Sequence, residues 1–197
     1  MLSGQDISAS LSGAWRLMRG KADGLRLLDL SADGFWNSFF AIVVALPAMA
    51  VGWVGVAGEI GDPDAVVSRL SIVLRLAVVD LGTWVLPLCG LAFVGRRVGI
   101  GDRFVHYVVA SNWASAIVAW IMLPAALVRL VAPASDQFAV LLSLALFLLT
   151  MVFTWRMTNA AVGKGAAIAT AVFVGMFVGS LAVLFALQAL LGITVAE

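Results

Sequence analysis

Charge is what this chain has least of. Asp, Glu, Lys and Arg together make up 12% of its 197 residues, against 63% for the hydrophobic types. A soluble domain carries about 25% charged residues and about 45–50% apolar ones. Mean hydropathy is +1.09. A chain this short has no interior large enough to hide that much apolar surface from water, so its solvent is lipid. A net charge of +1, with no basic patch interleaved with aromatics, leaves no electrostatic footprint for nucleic acid.

The equipment of most enzymes is missing too. Cys89 is the only cysteine, so there is no intrachain disulfide framework, and its place inside an apolar segment suggests a buried small hydrophobe. His106 is the only histidine, which excludes a zinc cluster or bis-histidine haem within one chain. No GxSxG occurs, and no nucleophile stands at a useful spacing from His106. The glycines of GRRVGIGDR (95–103) lack the P-loop pattern and read as a turn between spans. The reading is therefore no enzyme, no cofactor and no metal.

What is present is a set of long apolar runs. About 20 apolar residues cross the hydrocarbon core, and five segments qualify: 35–56, 68–94, 104–128, 137–155 and 165–191. The fold class is an all-α polytopic membrane helix bundle, with residues 35–197 as its transmembrane domain. Ser31 or Asp33 is the expected N-cap of the first span, and Pro47 should kink it. A cleaved leader does not fit: a 34-residue lead-in with four aspartates (Asp6, Asp23, Asp29 and Asp33) is the wrong n-region, and the run continues past Ala48-Met49-Ala50.

In residues 1–34, Ile7, Leu11, Trp15 and Met18 recur at helical spacing, with Arg16, Arg19 and Lys21 mostly on the other side. This predicts a short amphipathic helix in the membrane interface, anchored by Trp15, Arg16 and Arg19. Basic residues set the orientation. Arg16, Arg19, Lys21, Arg26, Arg96, Arg97, Arg103, Arg156 and Lys164 flank one side, and only Arg69 and Arg129 the other. Nine against two places the N-terminus in the cytoplasm and the C-terminus outside.

Ionisable residues inside spans are costly and mark functional or structural sites. The second span carries Arg75 and Asp80, whose side chains point about 140° apart around the helix. Arg75 lies nearer the outside and can snorkel. On the third span Tyr107, Ser111 and Ser115 share a face, with Asn112 beside them. A short turn joins the two spans, which suggests that Asn112 reaches Asp80, with Trp84 as a second donor. The fourth span carries Ser143, Thr150 and Thr154. The fifth carries Ala171, Gly175, Gly179, Ala182 and Ala186 on one stripe, a packing seam within the chain or between two copies.

WRMTNAAVGKGAAIATAVFVG (155–175) sets an aromatic-ended helix, a short basic turn and an Ala-rich helix in order. The third span, entered from a basic loop, ends in LPAAL (123–127). Over about residues 35–192 these features resemble the bacterial branch of the Yip-domain family of membrane proteins. The resemblance implies a five-span helical fold with a cytoplasmic N-terminal arm, here reduced to 34 residues. Eukaryotic members are associated with small prenylated GTPases and vesicle traffic. For bacterial members it implies no defined activity, and it transfers no functional residue. The expectation is a non-enzymatic scaffold or membrane-organisation protein of a bacterial-type inner membrane. Its partners are the lipid bilayer and another membrane protein or a second copy. The alternative is a small transporter or channel component with a polar path lined by Arg75, Asp80 and Asn112.

Overall fold

Every regular element is a helix in the computed structural model, which describes residues 2–60, 66–131 and 136–193. The chain runs α1 (Gly4–Met18), a 3-10 turn (Ala22–Leu27), α2 (Ala32–Asn37), α3 (Phe40–Ile60), α4 (Val66–Val94), α5 (Phe104–Val131), α6 (Gln137–Val162) and α7 (Ala166–Leu191). Five helical stretches are long and apolar enough to cross a membrane: α2 with α3, then α4, α5, α6 and α7.

Local chemistry sets the boundaries. Ser3 and Asp6 form a capping box on α1. Ser31, as expected, caps α2 by accepting from the Gly34 N–H at 3.1 Å. Asp136 caps α6 through the Ala139 N–H. Gly163 and Gly192 end α6 and α7 at φ 63° and 64°, a left-handed conformation that costs a side-chain-bearing residue energy. Pro47 lies within α3 without ending it.

Two boundaries differ from the sequence reading. The first span is broken between α2 and α3, where the Ser38 hydroxyl donates to Phe35 O at 2.7 Å. The fourth continues past Trp155 to Val162, so Arg156 and Asn159 belong to the last turns of α6 and the connection to α7 shrinks to 163–165. Asn159 is polar but helix-compatible, and the true stop signal is Gly163. Residues 61–65, between the first and second spans, lie outside the described residues.

The spans close into a ring in the order α3–α5–α6–α7–α4, with α4 returning to α3. Thus α4 and α5, though joined by a short turn, both pack on α3. Large apolar side chains such as Val67, Leu74, Phe93, Phe138 and Phe185 cover the outside of the ring. Cys89 also faces outward, so its expected burial is corrected. Lys164 Nζ binds Gly99 O and Asp102, tying the α6–α7 turn to the α4–α5 turn at what we call the basic end.

The N-terminal segment sits on that end. α1 packs on α5 and α6, burying Ser10, Gly13, Ala14, Leu17 and Met18. Trp15 stays at the rim, its ring edge-on to Phe153 with centroids 5.4 Å apart. The buried face is therefore rotated from the predicted stripe: Met18 is in it, Ile7 and Leu11 are half-buried, and Leu17 joins it. The 3-10 turn folds back so closely that a Cβ on Gly13 would lie 2.8 Å from Gly24 O. Arg16 and Asp23 bridge the same fold-back at 2.8 Å on its exposed side.

Candidate functional site

An indole N–H can donate a hydrogen bond but never accept one, and inside lipid no water is at hand to take it. A tryptophan inside a span therefore gains from an acceptor on its own or a neighbouring helix. Four of the chain's seven do so across helices. Trp53 of α3 donates to Asp80 Oδ2 of α4 at 2.7 Å. Trp84 of α4 donates to Asn112 Oδ1 of α5 at 2.9 Å. Trp120 of α5 donates to Val44 O of α3 at 3.0 Å, a carbonyl in the turn that Pro47 loosens. Trp155 of α6 donates to Thr170 Oγ1 of α7 at 3.0 Å.

The Asp80–Asn112 contact expected from sequence is not formed. Helical rise explains why. Counted from the shared turn, Asp80 lies about 21 Å deep on α4, Trp84 about 15 Å and Asn112 about 12 Å. Asn112 is thus level with Trp84. It is fully buried, and its Nδ2 goes on to donate to Ser38 Oγ at 2.8 Å. With Ser38 donating to Phe35 O, the chain Trp84–Asn112–Ser38–Phe35 links α4, α5 and the α2–α3 break.

Arg75 turns the other way. Its Nη1 donates to Leu191 O at 3.0 Å, on the last turn of α7, where free carbonyls carry partial negative charge. Of the other predicted polar residues, Ser111 bonds back to Val108 O within its own helix. Ser115 lines a cavity of about 250 Å³ in the basic half of the ring, together with Thr83, Tyr107, Thr154 and Ser180. A second cavity of about 370 Å³ lies toward the far end and reaches Asp80, with Trp53, Met122, Arg129 and Ser143 among its walls. Arg129 is held there by a bidentate pair with Glu59, at 2.6 and 3.2 Å. Arg75 and Asn112 line neither cavity.

At the basic end the Asp29 carboxylate is held below its ordinary range by hydrogen bonding from Ser31, and Asp6 likewise by Ser3 in the capping box. Arg16 is paired and Arg19 is exposed beyond the end of α1. Gly175 and Gly179 lie on α7 beside α4: a Cβ at Gly175 would meet nothing within 4 Å, and one at Gly179 would meet only Pro87, at 3.9 Å. The predicted small-residue seam is open along this stretch. Among the described residues no three His, Cys, Asp or Glu side chains converge.

The sequence reading missed Trp53, Ser38, Trp120 and Trp155. The signal for three of them was the donor-only indole in an apolar run. Comparison with protein-family models, with curated proteins and with solved structures finds no match.

Proposed function

We propose that this five-span protein is a non-enzymatic scaffold, an interaction or membrane-organisation protein of a bacterial-type inner membrane. One observation carries the reading: Asp80, Asn112 and Arg75, the polar groups that a path would need, are each bonded to a partner on another helix, and Arg75 and Asn112 line neither cavity. Trp84–Asn112–Ser38–Phe35 starts at a group that can only donate and ends on a backbone carbonyl. Such a chain stitches helices together and does not relay protons. Arg75 is similarly occupied with the end of α7.

The basic end, with α1, is cytoplasmic in this reading and the C-terminus is outside; the nine-to-two bias in basic flanking residues supports it. The likeness of 155–175 and 123–127 to the bacterial Yip-domain family is consistent with a five-span protein without catalytic residues. Reporters fused after residue 34, within 95–103 and at 163–165 then read as cytoplasmic, and one at Glu197 as outside. A cytoplasmic signal at Glu197 would overturn the orientation.

A second reading is favoured by the cavity at Asp80: a small transporter in which that carboxylate binds a proton or cation. Proteoliposomes separate the two. The scaffold reading predicts no flux above protein-free vesicles, and the transporter reading predicts a flux that Asp80→Asn abolishes.

A further inference from the structure

An apolar groove of about 460 Å³ runs along the outside of the ring between α4 and α7. Gly90 of α4 and Gly175 of α7 form part of its floor; a Cβ on either would meet nothing within 4 Å. Leu91 and Met176 are among its walls. From Ile168 to Val183 it extends about 22 Å along α7, more than half of the roughly 30 Å hydrocarbon core. It begins at Val94 and Val98, which bracket the turn carrying Arg96 and Arg97. Both arginines are exposed, and neither belongs to an ion pair among the described residues.

We propose that this groove binds an anionic phospholipid, one acyl chain lying over Gly90 and Gly175 and the phosphate resting on Arg96 and Arg97. Neither arginine lines the groove, but the turn that carries both adjoins its end, so apolar length and positive charge neighbour one another as a single amphiphile with an anionic head requires. A second copy of the chain fits less well. Two copies with the same orientation, related by a two-fold axis along the membrane normal, would set their Arg96–Arg97 turns at the same depth and near each other. Like charges would then face one another. A phosphate removes that conflict, and planar guanidinium groups suit its geometry.

The test uses the full-length protein purified in detergent, titrated with dioleoyl phosphatidylglycerol or dioleoyl phosphatidylcholine and read by native mass spectrometry. Wild type retains one phosphatidylglycerol per chain and prefers it about 30-fold, the effect expected of two basic residues near a lipid surface. Arg96→Gln/Arg97→Gln, which changes only exposed side chains, abolishes the preference but still takes up lipid. Gly175→Leu fills the groove and removes retention of both lipids while the helical content stays at the wild-type level. An unchanged preference in the double arginine variant would overturn the proposal. So would a dimer that Gly175→Leu converts to monomer with lipid retention unaltered, since the groove would then be a protein interface.

Discussion

Trp53 and Asp80 lie 27 residues apart on antiparallel helices, with Trp53 Nε1 2.7 Å from Asp80 Oδ2. The pair pins α3 to α4 at mid-span, while Trp84 and Asn112 pin α4 to α5 nearer the basic end. Each bond satisfies an indole that would otherwise be left unpaired in hydrocarbon. Interhelical hydrogen bonds in membranes average about 0.6 kcal/mol, with about 1.7 at the upper end. Several of them on one ring therefore set its register more than its total stability.

Asn112 is the residue whose loss should be felt most. Asn112→Leu leaves the Trp84 indole without an acceptor, a stranded buried donor costing roughly 1–3 kcal/mol, and takes one donor from the Ser38 oxygen, which keeps its own bond to Phe35 O. Trp84→Phe removes one donor and leaves Asn112 bonded to Ser38. Thermal unfolding in detergent should therefore rank wild type, Trp84→Phe and Asn112→Leu in falling order. Equal losses would mean that stranding the Trp84 indole costs no more than removing it.

Arg75 and Gly192 hold the end of α7 together. Arg75→Gln gives up the guanidinium on Leu191 O, and Gly192→Ala forces a Cβ into a left-handed conformation at φ 64°, costing about 1–2 kcal/mol. In both variants amide exchange at residues 188–193 should quicken while that of α5 is unchanged. Unaltered exchange in Arg75→Gln would show that the arginine contact does not hold this turn.

The docking of α1 gives a protease test. Leu17→Ser places a hydroxyl in a fully buried position, and Gly13→Val drives a side chain into Gly24. Either change should free α1 and expose the bonds after Arg16 and Arg19 to trypsin. Trp15→Ser/Leu11→Ser should have a smaller effect, because Trp15 is at the rim and Leu11 is half-buried. Equal cleavage of wild type would show that α1 does not stay docked.

Span number, the α4 and α5 ends around 95–103, and the Ser31 cap were legible because apolar run length and cap chemistry are local signals. The α6 end was not, because the polar run after Trp155 stays helical until Gly163. The site was legible by residue but not by partner. Asp80, Asn112 and Arg75 stood out as polar groups in apolar runs, yet their partners depend on ring order. Sequence adjacency suggested that α4 lies beside α5, whereas both pack on α3. A difference of about 9 Å in depth then separates Asp80 from Asn112. The same ring order puts the end of α7 beside Arg75, and nothing near Arg75 in the sequence signals that contact.

The most direct measurement is unfolding stability and cation flux, taken side by side for wild type, Asp80→Asn and Asp80→Leu. Asn keeps an acceptor for the Trp53 indole and removes a mid-membrane charge that costs roughly 2.5–3.5 kcal/mol on insertion scales. Asp80→Asn should be at least as stable as wild type. Asp80→Leu should be less stable than Asp80→Asn, because it leaves the indole without an acceptor. All three should leak protons and sodium only as fast as empty vesicles. A well-folded Asp80→Asn protein that loses a proton or cation flux catalysed by wild type would contradict the scaffold account.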